Sequence, residues 1–150
     1  MQVYPTGLLP GIRIEKKLTP TSSTNIRFAL QFIDHRDLGV HDNEEGNGYG
    51  FSLGYRKFFN ETNRGFSLLL RADYWKNTID WADLNPQISG TSKTTVLQPT
   101  ALLEYNIRNK SSIIITPSLG FGYEWNIKTI GAPTGKGAIL VLGVFIGFQL

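Results

Sequence analysis

Apolar and polar residues alternate along this chain with a period of two, stretch after stretch, and each stretch ends in a cluster of Gly, Asn, Asp, Ser or Thr. A period of two puts alternate side chains on opposite faces of a β-strand, and the flanking clusters are turn chemistry. The pattern predicts seven strands: Gly7–Leu18, Asn25–His35, Gly48–Asn60, Gly65–Asn77, Thr95–Ile107, Ser112–Asn126 and Ala138–Leu150. In the second, Ile26, Phe28, Leu30 and Phe32 oppose Arg27, Ala29 and Gln31. In the seventh, Leu140, Leu142, Val144, Ile146, Phe148 and Leu150 oppose Gly143, Gly147 and Gln149. No apolar run approaches the ~18 to 20 residues of a spanning helix.

The connections alternate in length. Thr19–Thr24, Asn60–Arg64 and Arg108–Ser111 are short, whereas Arg36–Asn47, Thr78–Thr94 and Ile127–Gly137 are long. Short and long connections therefore gather at opposite ends of one up-and-down antiparallel meander. Closing such a meander into a barrel removes its two exposed edges. Pro10, Pro99 and Pro117 each lack an amide donor, so local bulges near the rim are expected at them.

The polar face decides which way the barrel faces. In a soluble barrel it meets water, where Gly weakens a strand without packing anything. Here it carries Gly11, Gly50, Gly54, Gly120, Gly122, Gly143 and Gly147 with Ser52, Ser67 and Ser118, which suits a crowded lumen. The same face sets Arg13, Arg27, Arg56 and Arg71 against Glu15, Asp73, Glu104 and Glu124, a set able to neutralise itself inside a narrow barrel. The opposite face is Ile, Leu, Val, Phe, Tyr and Trp almost throughout, as a lipid-facing band must be. Aromatics near the strand ends predict two girdles: Phe59, Phe66 and Tyr105 by the short turns, and Tyr49, Tyr74, Trp125, Trp75 and Trp81 by the long loops.

Composition narrows the chemistry. The 150 residues are 41% hydrophobic and 18% charged, which fits one folded domain. A net charge of +3, with Lys and Arg scattered along the chain, leaves no nucleic-acid footprint. Cys is absent and His occurs twice, so thiolate metal sites and cysteine nucleophiles are excluded and no cofactor is expected.

From Gly7 to Leu150 this succession of strands and turns resembles the small, eight-stranded class of Gram-negative outer-membrane β-barrels. Leu9-Pro10-Gly11-Ile12-Arg13-Ile14-Glu15 and Leu97-Gln98-Pro99 look like segments of the porin-family barrels of Bacteroidetes. The resemblance implies a bacterial outer-membrane location, long loops outside, and a periplasmic C-terminus. It also implies contact with lipid and lipopolysaccharide, and a possible further outer-membrane protein as partner. Such proteins end in an aromatic, and Leu150 departs from that.

Asp34, His35, Asp37, His41, Asp42, Glu44 and Glu45 form an acidic cluster around the first long loop. Asp37, Asp42 and Glu44 are a weak calcium candidate, since calcium takes six to eight oxygens, but the spacing lacks the repeat of a calcium loop, so a solvated loop without metal is the expectation. His35 beside Asp34 or Asp37 supplies an acid–base pair without a serine nucleophile. The leading functional class is a non-enzymatic structural, binding or accessory-subunit protein of the envelope. The alternatives are a small outer-membrane enzyme acting on lipid or peptide near His35, and a soluble lipocalin-like ligand-binding barrel. With short turns in the periplasm, Gly7–Leu18 runs downward, so the seven visible strands imply an eighth, ascending strand and a signal peptide upstream.

Overall fold

The computed structural model describes residues 1–4, 7–34, 40–108 and 112–148. It contains strands and turns only: β1 (Gln2–Tyr4), β2 (Gly7–Leu9), β3 (Gly11–Thr19), β4 (Ser22–Ile33), β5 (Asn43–Phe58), β6 (Gly65–Leu84), β7 (Gln87–Arg108), β8 (Ile113–Ile130) and β9 (Gly137–Phe148). β2 and β3 form one strand broken at Pro10, since Leu8 opposite Phe32 and Gly11 opposite Ala29 share a single register along β4. From there each strand pairs antiparallel with the next as far as β9, and β1 pairs with both β9 and β2. The result is a closed antiparallel barrel of eight strands around the ring, counting β2 and β3 together.

The alternation decides the faces as expected. Ile26, Phe28, Leu30, Phe51, Leu53, Leu68, Leu70, Leu103, Leu119, Phe121 and Val144 are all exposed on the outer wall, while Arg27, Arg56, Arg71, Asp73, Glu104 and Glu124 are buried inside. Glycine on the inner face makes room there. A Cβ on Gly50 would stand 2.4 Å from the Trp75 ring, so the bare backbone of β5 lets that indole lie flat against it.

Three expectations are corrected. Thr78–Thr94 is no loop: β6 runs to Leu84 and β7 starts at Gln87, making a hairpin that carries the wall upward, and β5 and β8 extend similarly to Asn43 and Ile130. The alternation does not stop at Thr78 but inverts, with Asn77, Ile79, Trp81 and Asp83 turned inward and Lys76, Thr78 and Asp80 outward. Trp75 and Trp81 do not belong to a girdle. They share the inward parity; Trp75 is 1% exposed and packs with Leu9, Ala29, Ile33, Ile79 and Val96. The prolines create no bulges: the register is the same on either side of Pro10, Pro99 and Pro117, and the shifts fall instead at Lys17/Thr19 and Thr95/Val96. Proline removes a donor without adding a residue, so the ladder is interrupted but not displaced.

Candidate functional site

The lower lumen is filled by two charge clusters. β3 brings Arg13 and Glu15, β5 brings Arg56 and β7 brings Glu104. Arg13 Nη1 lies 3.0 Å from Glu104 Oε1, Arg56 Nε 2.6 Å from Glu104 Oε2, Arg56 Nη1 3.0 Å from Glu15 Oε2, and Arg13 Nε 3.7 Å from the same oxygen. These contacts close a ring of alternating charge, and the Ser23 hydroxyl donates to Glu15 as well. Charges packed this way stabilise one another in a medium where water is scarce.

One layer up, Asp73 is the hub. The Arg71 Nε donates to Oδ2 at 2.9 Å and lies 2.8 Å from Oδ1, Thr100 donates to Oδ2 at 2.9 Å, Ser52 donates to Oδ1, and Arg27 Nη1 stands 3.9 Å from Oδ1. Arg27 Nη2 donates to the Leu9 carbonyl at 2.9 Å, and Arg71 Nη1 to Gln2 Oε1 at 3.0 Å. Thus seven of the eight residues expected in the lumen join these two clusters, and the eighth, Glu124, is buried as well.

Above the Trp75 cluster the three upper connections are tied together. Glu44 is fully buried; its carboxylate accepts the Val40 amide at 3.1 Å and the Gly135 amide at 3.1 and 3.3 Å. His41 stacks on Trp81 with centroids 4.1 Å apart, its Nδ1 3.0 Å from Asp83 Oδ2 and its Nε2 3.0 Å from the Pro133 carbonyl. Both partners are acceptors, so both bonds form together when each ring nitrogen carries a proton. The hydrogen bond from His41 holds the Asp83 carboxyl below its usual value, helped by the Asp42 amide. Asp42 in turn accepts the Leu84 amide at 2.8 Å.

The structure therefore gives Asp42 and Glu44, expected as calcium candidates, backbone amides as partners and does not bring them together on a common point. Asp37 and His35 lie outside the described residues. Among the described residues no group of three or more His, Asp or Glu is placed to hold a metal ion. The joining of His41, Trp81, Asp83 and Pro133 was not expected from the sequence. Its one signal there is the inward parity of Trp81 and Asp83, which continues that of Trp75.

No family model, no curated protein and no solved structure matches the chain.

Proposed function

We propose that this chain is an integral barrel of a bacterial outer membrane, its lumen plugged by its own side chains, serving the envelope as a non-enzymatic structural, binding or accessory subunit. The observation that carries this reading is the reversal of polarity along one wall. From Phe66 to Tyr74 the outer face of β6 reads Phe66, Leu68, Leu70, Ala72, Tyr74, over a charged interior. From Lys76 upward it reads Lys76, Thr78, Asp80, over an interior of Trp75 and Ile79. Water everywhere outside rewards only the second arrangement, whereas lipid rewards the first. Phe66 to Tyr74 spans roughly 27 Å along the strand and roughly 20 Å along a barrel axis tilted by about 40°, near the ~25 Å apolar band of such barrels once the girdle rings are added.

The rims support the same reading. Phe66 and Tyr105 meet edge to face at 4.9 Å near the short turns, and Tyr123 and Trp125 lie 5.5 Å apart near the long ones. Lys76, Lys93 and Lys128 stand exposed just above the upper aromatics, where they suit the phosphates of lipopolysaccharide. A lipocalin-like barrel needs the reverse of the lower wall. The tied upper connections offer a built surface for a further envelope protein, and nucleic acid has no matching stripe.

Membrane fractionation tests the reading. The chain is expected in the outer-membrane fraction, resistant to alkaline extraction and soluble only in detergent, because its apolar wall far exceeds the few hundred Å² patches of soluble monomers. A monomer that stays in solution without detergent would overturn it.

A further inference from the structure

At the short-turn end the cations of the outer wall stand on one side of the barrel. On β3, β4 and β5 the ladders set outward residues in rows: Ile12, Phe28 and Phe51, then Ile14, Ile26 and Leu53, then Lys16, Thr24 and Tyr55. Two residues beyond Tyr55, Lys57 lies opposite Ser22 and is exposed on the same face. On the opposite side the apolar face runs to the end without a cation: Phe66 on β6, Tyr105 and Ile107 on β7, Ile115 on β8, and Ile146 and Phe148 on β9 are all exposed. Cations that merely marked the level of an interface would ring the barrel. A pair gathered across three neighbouring strands marks a place where an anion is met.

Neither lysine is paired with a carboxylate. Among the described residues Lys16 has no ion pair, and Lys57 Nζ donates to Thr21 Oγ1 at 2.8 Å, a neutral partner that takes one of its three N–H groups. Glu15, the adjacent carboxylate along β3, lies 3.0 Å from Arg56 in the lumen. Lys17, Arg64 and Arg108 add positive charge to the same end, where Glu61 is the one carboxylate on the short turns among the described residues. β3 and β5 are two strand spacings apart, roughly 10 Å, so the stems of Lys16 and Lys57 reach from either side towards a group lying over Thr24. Thr24 leaves room for that group: its side chain is the shortest in its row, and its hydroxyl is turned to the Gly54 carbonyl at 3.1 Å. The Tyr55 ring, exposed as well, closes the row at one end.

We propose that the outer face of β3–β5 at the short-turn end holds the headgroup of one phospholipid of net negative charge, its phosphate between Lys16 and Lys57 over Thr24. The acyl chains then lie along Ile14, Ile26 and Leu53, and beyond them along Ile12, Phe28 and Phe51, in rows spaced by roughly 7 Å. A phosphate diester without a cation of its own suits both lysines, whereas a zwitterionic headgroup brings an ammonium against them. The inference rests on the outer-membrane reading, because chains and headgroup take these places only when the wall stands in a bilayer.

Lipid retention tests the site. The full chain is refolded in a neutral detergent with equal amounts of phosphatidylglycerol and phosphatidylcholine of the same acyl chains, and native mass spectrometry counts the lipids it carries. The first lipid retained is expected to be phosphatidylglycerol, by about tenfold. That preference is expected to vanish in Lys16→Gln/Lys57→Gln and to persist in Lys76→Gln/Lys93→Gln, with circular dichroism showing that each variant has folded. High salt is expected to remove the preference from the unmutated chain, a readout that needs no substitution. Equal retention of the two lipids by the unmutated chain overturns the proposal. So does a preference that survives in Lys16→Gln/Lys57→Gln, or one that is lost in Lys76→Gln/Lys93→Gln instead. Displacement of phosphatidylglycerol by millimolar inorganic phosphate also overturns it, since the group bound is then a free anion. Failure of the membrane reading is seen separately, as a chain that stays dissolved without detergent and retains neither lipid, whereas a chain that needs detergent and retains both equally fails the headgroup site alone.

Discussion

Glu104 faces two guanidinium groups and is wholly shielded from solvent, so its carboxylate is what allows Arg13 and Arg56 to share the lower lumen. Removing one member of a buried charge set costs more than the set contributes, because its partners remain buried and uncompensated. Glu104→Ala is therefore expected to destabilise the barrel by about 3–5 kcal/mol. The joint replacement Arg56→Met/Glu104→Leu, which leaves Arg13 opposite Glu15, is expected to cost much less, and urea unfolding in micelles compares the two. At this scale the sequence was legible wherever parity decides the face: Arg13, Arg27, Arg56, Arg71, Asp73 and Glu104 could be placed inside by counting in twos. It did not reveal which Arg meets which carboxylate, because that depends on strand stagger around a closed ring.

The strands are legible in their lower halves and were misread in their upper ones. Thr78–Thr94 looks like a loop because its outward residues are polar, yet a strand whose outer face meets water must be polar outside, and Ile79 and Trp81 keep the inward beat. What those extensions hold is the knot of upper connections, joined by side chains from β5, β6 and the segment before β5 and by backbone groups of the segment before β9. Asp83 makes part of that knot dependent on pH. Its folded value lies below the usual 3.8, chiefly through the His41 hydrogen bond. A lowered carboxylate value contributes closure that is present above the usual value and is lost as pH falls through the lowered one. Amide exchange at residues 40–46 and 131–135 is therefore expected to accelerate, relative to the barrel, as pH falls below the usual carboxylate value of 3.8 and through the lowered one. In Asp83→Asn that acid-dependent step is expected to shrink, whereas unchanged acid sensitivity in the variant would assign it to another group.

The outer wall of the molecule carries two kinds of surface stacked on one axis, apolar below and polar above. A chain folded in water has one rule for its outer face, and an exposed charge added anywhere on it costs little. The wall of this barrel follows two rules, and the level at which Tyr74 gives way to Lys76 is the boundary between them. Closure of the ring was legible from the up-and-down order of the alternating stretches, but β1, which completes it inside this chain, was not, because three residues are too few to show a period. The boundary was less so, because it is a change of phase within a pattern whose period stays constant. Two substitutions on the outer face separate the environments. Leu70 lies halfway between the girdle residues Phe66 and Tyr74 and pairs with Tyr55 and Ala101, whereas Asn47 stands exposed in the collar opposite Thr78. On the proposed membrane reading, Leu70→Lys puts an ammonium near the lipid midplane and is expected to cost about 2–4 kcal/mol, while Asn47→Lys is expected to cost about 0–1 kcal/mol. Folding into phospholipid vesicles, followed by urea titration, measures both. Equal and small effects at the two positions would mean that water surrounds the whole wall, and a large effect at Leu70 alone would place its middle in lipid.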